Sequence, residues 1–386
     1  MIKFLSNKSI LAISTLSGTI IGVGIFSLPY ITSKVGIWII LAYFLILGSL
    51  AVLIHLFFGE VSLKTPDFKR LPGFAKIYLG NWGQNLAYIS IILGIFGALL
   101  AYLIVGGKFF TELLSPIFGG NSLVYTLFYF IIGAALIFFG IKAIAKVEFW
   151  GLILFLAILF AIFFRGKLFI TIENLFPSPN LSYIFLPYGI ILFSLWGADL
   201  IPEVEEMLAP TPKFGMGVGG EKKALRWIIP ISILIPIIIY LFFIYLILGI
   251  TGSQTTESAL TGLRSVLGDG IFSLALCFGL LTTFTSFITL GLTLKKVFWY
   301  DLKIRKTISW AITCFVPLII FLIGIRSFIP VISFVGAIML GIDGILILLM
   351  YRKIVSPSSK FKSFLVYPLI LILITGIISE IIYFVK

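Results

Sequence analysis

The stretch that decides the fold is Thr19-Ile20-Ile21-Gly22-Val23-Gly24-Ile25-Phe26-Ser27-Leu28-Pro29. It lies inside an apolar run, residues 9–33, long enough to cross a bilayer as a helix. Glycine weakens a helix by about 1 kcal/mol and lets the backbone leave it. In hydrocarbon an unpaired peptide group costs several kcal/mol, so a break at this depth survives only where it lines a protected cavity. Gly22 and Gly24 therefore mark an expected interruption of the first span and the wall of an internal site.

Composition places the rest of the chain in the membrane. Of 386 residues, 60% are hydrophobic and 11% charged, and the mean hydropathy is +1.20; no soluble domain has this balance. The chain reads as one transmembrane domain over 1–386, with no soluble appendage. The first apolar run continues past residue 30 without a small-residue cleavage site, which reads as a span and not a signal peptide. Cys277 and Cys314 fall inside apolar stretches as small hydrophobes, and no disulfide framework is indicated.

Eleven spans are expected, at 9–33, 36–58, 82–106, 122–141, 147–164, 184–208, 227–250, 271–295, 307–325, 328–350 and 363–385. With the N-terminus in the cytoplasm, 21 of the 28 Lys and Arg fall on inner segments and 7 on outer ones, as the positive-inside rule requires. This orientation accounts for the net charge of +13 without nucleic acid or another anionic partner; it puts the C-terminus outside and implies a cell membrane. Six tryptophans sit near span ends, as an interfacial belt requires, and Trp196 alone lies at mid-span.

Between spans, Pro66–Leu79 and Glu257–Leu267 have amphipathic helical spacing and read as surface helices or gates. The glycine-rich run Phe214–Gly220 follows no strand and precedes no Gly-Lys-Ser/Thr, so it reads as a linker and not a phosphate loop. No nucleotide site is expected, and no obligatory protein partner is evident beyond the lipid bilayer.

A second interruption is expected in the sixth span, at Phe193-Ser194-Leu195-Trp196-Gly197-Ala198-Asp199-Leu200-Ile201-Pro202-Glu203. Gly197 and Pro202 both disfavour continuous helix. Asp199 is an ionisable group at membrane depth, either functional or bonded to the unwound backbone. Spans one and six are five apart, an odd number, so they start on opposite faces. Two five-span units, about 9–164 and 184–350, would then form an inverted repeat, with 363–385 an extra helix.

Each break exposes N–H groups at one half-helix start and C=O groups at the other's end. The former suit a carboxylate, the latter an ammonium or a cation. A zwitterionic α-amino acid matches both, with N–H groups from Ile25, Phe26 and Ser27 and carbonyls from Ile21, Gly22, Leu195 and Trp196. Tyr102, in the third span, is either a carboxylate ligand or packing.

At these residues the chain resembles the amino acid–polyamine–organocation transporter superfamily. Gly18–Pro29 looks like the first-helix signature of its amino acid/auxin permease and aromatic amino acid permease branches. Trp196-Gly197-Ala198 with Ile201-Pro202-Glu203-Val204 is similar to their broken sixth helix. The resemblance implies an all-α, five-plus-five inverted-repeat permease that moves amino acids by alternating access, a symporter coupled to a cation.

In sodium-coupled members one Na⁺ sits between first-helix carbonyls and eighth-helix hydroxyls. The matching positions here are Gly18, Ile21, Gly279, Thr282 and Thr283, although threonines also bond their own helix carbonyls. Proton- or exchange-driven relatives instead carry a lysine within the fifth helix. Here that span has none, Lys146 lying at its edge, which favours Na⁺ modestly over H⁺. No other cofactor is implied. Asp199 or Asp343 keeps proton coupling open. His55 and Glu380 lie near span ends, where polar tips reach the interface.

Two other transport-free readings are poorer. An intramembrane enzyme needs a nucleophile–base pair or metal cluster, and one histidine with two dispersed cysteines supplies neither. A channel needs a pore-lining polar stripe or repeated filter. Transport of polyamines or another small organic cation would need carboxylates in the pocket, of which Asp199 is one.

Overall fold

The computed structural model describes residues 7–65, 69–140, 144–208, 218–355 and 360–385, and among these the secondary structure is helical. The first expected span is two helices, α1 (Asn7–Ile20) and α2 (Leu28–Val35), joined by a 3₁₀ turn, Val23–Ser27. Their axes bend by 46° at the break. Next come α3 (Ile37–Lys64), the short α4 (Leu71–Leu79), α5 (Asn81–Phe118), α6 (Ser122–Phe139) and α7 (Ile144–Gly166). The sixth expected span is also divided, into α8 (Leu186–Leu195), a 3₁₀ turn Ala198–Leu200 and α9 (Ile201–Leu208). The remaining helices are α10 (Val218–Thr251), α11 (Arg264–Lys296), α12 (Lys306–Ile323), α13 (Phe328–Phe334), α14 (Leu340–Ile354) and α15 (Lys360–Val385).

Among the described residues, eight helices are long and apolar enough to cross a membrane, or nine when the bent α1–α2 pair is taken as one span. The sequence reading counts eleven; its fifth and sixth, at 147–164 and 184–208, coincide with α7 and with the interrupted α8–α9 pair. Trp38, Trp82, Trp150 and Trp227 are exposed on the outside of the bundle, whereas Trp196 is only 8% exposed. Part of the Pro66–Leu79 connection, residues 69–79, is described and contains α4. The Glu257–Leu267 connection holds a 3₁₀ turn, Leu260–Leu263, and the first residues of α11, which breaks at Gly268 with φ +75°. Residues 214–217 of the glycine-rich linker lie outside the described residues.

The first half of the broken sixth span, α8, is gripped by the helices that end the chain. A π-helical turn, Val335–Met339, joins α13 to α14. There a Cβ on Gly336 would stand 1.8 Å from the Gly189 carbonyl oxygen of α8, so only glycine permits this approach. The last helix, α15, docks on the same region: Tyr188 donates to the Ile372 carbonyl at 3.1 Å, and Ser333 donates to Glu380 at 2.9 Å. Glu380 is buried. Its expected place at the interface is therefore corrected: a buried carboxylate needs a donor, and Ser333 supplies one.

Candidate functional site

The two breaks are local in origin. Gly22 is extended (φ −108°, ψ −154°) and Trp196 likewise (φ −82°, ψ 126°); a 3₁₀ turn follows the first at once and the second after Gly197. Gly22 N–H then reaches back only to the Ile20 carbonyl, at 2.8 Å, and Leu200 N–H to that of Gly197, at 3.1 Å. The breaks face one another. A Cβ on Gly24 would stand 2.2 Å from Ser194 Oγ, and one on Gly197 would stand 2.9 Å from side-chain carbons of Ile20 and Leu16. Glycine at both positions is what lets the interrupted segments touch.

Two side chains that sequence reasoning missed hold this junction. Tyr240 of α10 is buried, and its hydroxyl lies 2.7 Å from the Ile20 carbonyl oxygen and 2.8 Å from that of Ser194. One O–H thus bridges the carbonyl ends of α1 and α8. His55 of α3, read from sequence as interfacial, is buried instead. Its Nε2 accepts the Gly197 N–H at 2.9 Å while Nδ1 donates to the Ala51 carbonyl at 2.6 Å. The reason is chemical: the break leaves a buried N–H that needs an acceptor, and a neutral imidazole offers one acceptor nitrogen while its other nitrogen donates. The ring also meets Trp196 edge-on, with centroids 5.5 Å apart. No signal short of tertiary structure pairs a residue in span two or seven with these breaks.

A cavity of about 140 Å³ runs from the junction toward the end of the bundle carrying α4. That is room for roughly ten waters. Of the expected substrate-site residues, Gly22, Gly24, Tyr102, Trp196, Gly197 and Asp199 line it. Tyr102 points its hydroxyl at Gly22, where a Cβ would be 2.4 Å away. Along α5 the wall extends from Tyr102 to Ser90, about 18 Å of helix. Asp343 joins the wall, buried and accepting from the Ser90 hydroxyl. At the mouth, Arg70 pairs with Glu203 at 3.7 Å, both side chains more than a third exposed.

The other expected residues are not on this wall. Ile25, Phe26 and Ser27 are buried in the core: the Phe26 ring packs on Phe109, Phe243 and Phe278, and Ser27 Oγ donates to the Gly24 carbonyl at 2.5 Å. The segment after the first break is a 3₁₀ turn and not an open loop, so Ile25 N–H is directed at the Gly22 carbonyl, at 3.4 Å. Leu195 is buried toward Gly48 of α3. Ile21 faces a second, smaller cavity.

That second cavity, about 30 Å³, is lined by Gly18 and Ile21 of α1's end, Gly151 and Phe155 of α7, and Leu281, Thr282, Thr285 and Ser286 of α11. Three of the five expected cation ligands, Gly18, Ile21 and Thr282, meet there. Gly279 and Thr283 do not: Gly279 packs against Phe109, and the buried Thr283 Oγ1 bonds back to the Gly279 and Leu280 carbonyls. Helical geometry explains the shift. Thr282, Thr285, Ser286, Thr289 and Thr293 repeat at three and four residues and share one face, leaving Thr283 beside it. Thr282, Thr285, Thr289 and Thr293 each donate to a carbonyl of their own helix, at 3.0–3.2 Å. A hydroxyl whose proton is so engaged presents only lone pairs to a neighbouring cation, so back-bonding and cation binding are compatible. The side chain of Lys146 lies outside the described residues.

The model of the tryptophan/tyrosine permease family matches residues 5–383, and the chain belongs to that family. No curated protein sequence matches it. Among solved structures, an inward-facing conformation of Mhp1 is similar with a TM-score of 0.70 at 14% identity, over 97% of this chain and 89% of that one. Mhp1 in a closed conformation with bromovinylhydantoin bound, described as a nucleobase-cation-symport-1 family transporter, gives 0.69 at 14% identity, over 97% and 90%. A manganese transporter of Eremococcus coleocola gives 0.63 at 11% identity, over 96% and 87%. At these identities the likeness is one of fold. The family makes the chain an integral membrane transporter and not an enzyme.

Proposed function

We propose that the chain carries an α-amino acid with a large apolar side chain, an aromatic one by the family's description, using alternating access coupled to a cation. The observation that carries this reading is the meeting of two interrupted helices at one cavity, where Gly22, Gly24, Trp196 and Gly197 leave peptide groups and an indole against a space the size of a single small molecule. The aromatic amino acid permease branch of the amino acid–polyamine–organocation superfamily is the placement this favours. The two five-span units, about 9–164 and 184–350, with 363–385 outside them, would move against one another. With a cytoplasmic N-terminus, the Arg70–Glu203 mouth faces inward.

Na⁺ is the favoured coupling ion, written as a co-substrate. Carbonyls at Gly18 and Ile21 and hydroxyls at Thr282, Thr285 and Ser286 are the hard oxygen donors such an ion takes. The test is uptake into proteoliposomes of labelled L-tryptophan or L-tyrosine under an inward Na⁺ or H⁺ gradient. Saturable, gradient-dependent accumulation is expected; absence of uptake of every proteinogenic amino acid under both gradients overturns the reading. A second reading, transport of a small organic cation, is favoured by one observation: Asp199, Glu203 and Asp343 outnumber Arg70 along the cavity wall.

A further inference from the structure

In the simplest broken-helix site the substrate ammonium rests on the carbonyl ends of the two half-helices. Here part of those ends is already engaged: the Tyr240 hydroxyl stands between the Ile20 and Ser194 carbonyl oxygens at 2.7 and 2.8 Å, and the Gly22 carbonyl faces the Ile25 N–H at 3.4 Å. A carboxylate without a cation is a stronger partner for a positive charge entering the cavity. Glu203 is paired with Arg70 at the mouth. Asp199 is exposed along the wall, near that same pair. Asp343 is different: buried, on the cavity wall, and bonded to the neutral hydroxyl of Ser90, with no basic side chain within ion-pair distance among the described residues.

A second group stands beside it. Trp196 lines the same cavity, and its buried indole N–H has no hydrogen-bond partner. Its ring rests against the residue after Asp343: a Cβ on Gly344 would lie 3.5 Å from Trp196 Cη2. A buried acceptor without a cation and a buried donor without an acceptor thus belong to two residues that line the same cavity, the indole meeting the Asp343 segment through its benzo edge. Each is costly alone, and one ligand carrying an ammonium and a carboxylate satisfies both.

We propose that Asp343, held by Ser90, binds the ammonium group of the transported molecule, and that the Trp196 N–H binds its carboxylate. This rests on the amino acid reading above and adds a carboxylate to the half-helix carbonyls at the ammonium site. The low polarity around Asp343 strengthens the ion pair relative to one in water, and a ligand lacking the ammonium leaves the carboxylate unmatched.

The test uses equilibrium binding to the purified full chain of three probes: L-tryptophan, tryptamine (ammonium without carboxylate) and indole-3-propionate (carboxylate without ammonium). Asp343→Asn keeps the shape and can still accept from Ser90. It is expected to weaken L-tryptophan by about tenfold or more, to abolish tryptamine binding, and to leave indole-3-propionate unchanged or tighter. Trp196→Phe is expected to weaken L-tryptophan and indole-3-propionate but not tryptamine. Ser90→Ala, which keeps the charge but frees the carboxylate, gives an intermediate loss for L-tryptophan. The proposal is overturned if Asp343→Asn binds L-tryptophan within about twofold of wild type, or if it loses all three probes equally, as a purely structural role would. It is also overturned if binding persists while uptake loses its response to pH or Na⁺, which would make Asp343 the coupling-cation site. Binding of tryptamine but not L-tryptophan by wild type would sink the amino acid reading and leave the ammonium site standing; binding of no probe would sink both.

Discussion

His55 Nε2 accepts the backbone N–H of Gly197 at 2.9 Å, so the only histidine of the chain closes the hydrogen-bond gap that the sixth span's interruption opens. His55→Phe keeps the ring but removes the acceptor. The expected outcome is a loss of about 1–3 kcal/mol of stability, the cost of an orphaned buried donor, with weaker substrate binding because the Gly197 backbone beside Trp196 loses its anchor. Thermal unfolding with and without substrate checks both, and an unchanged melting profile would remove His55 from this role.

Tyr240→Phe removes the hydroxyl between the Ile20 and Ser194 carbonyls and nothing else. Two carbonyls lose one shared donor, so stability is expected to fall by about 1–3 kcal/mol. The spacing of the two broken helices loosens, and maximal uptake should drop. Uptake at wild-type rate by a folded Tyr240→Phe protein would show that the bridge is dispensable.

Gly24→Ala places a methyl 2.2 Å from Ser194 Oγ and 3.1 Å from Ser194 Cα. The hydroxyl can rotate away, but the backbone atom cannot. The expected cost is about 1–3 kcal/mol of overpacking with strong loss of uptake. Adding Ser194→Gly should restore part of it; no recovery in the double variant would place the strain elsewhere.

Thr282→Val and Ser286→Ala remove oxygens that face the second cavity, whereas Thr283→Val removes one that bonds its own helix. If Na⁺ occupies that cavity, the first two should raise the Na⁺ concentration needed for half-maximal uptake, by about tenfold for a lost ligand. The third should leave it alone. The reverse pattern would reinstate the sequence-based assignment to Thr283.

Gly151 borders the same cavity, and a Cβ there meets nothing within 4 Å. Gly151→Lys would bring an ammonium to the oxygens proposed for Na⁺. Uptake by that variant is expected to lose its Na⁺ response while retaining substrate binding. A persistent Na⁺ response would argue that the ion binds elsewhere.

Both breaks were legible in the chain because their causes are local: Gly22, Gly24 and Gly197 cannot sustain a helical ladder unaided, and hydropathy puts them at membrane depth. Trp196 was legible by its departure from the interfacial belt. The sequence reading pairs Thr283 with Thr282, whereas the structure turns Thr285 and Ser286 with Thr282 toward the second cavity, because the rotation of α11 is set by what it packs against. Ile25, Phe26 and Ser27 lie off the cavity wall for a similar reason: glycine predicts a break, but not that a 3₁₀ turn closes it and buries these residues, Phe26 among other aromatic rings.

Periodicity, charge alternation and glycine placement are properties of neighbouring residues, so the sequence by itself determined a helical membrane transporter with interruptions in its first and sixth spans. Which side chains complete those interruptions was decided only in three dimensions. His55, Tyr240 and Ser90 lie 142, 46 and 253 positions from Gly197, Ser194 and Asp343 respectively. Each looks like an ordinary polar residue on an apolar helix until packing sets it beside a backbone or carboxylate group that has no nearer partner.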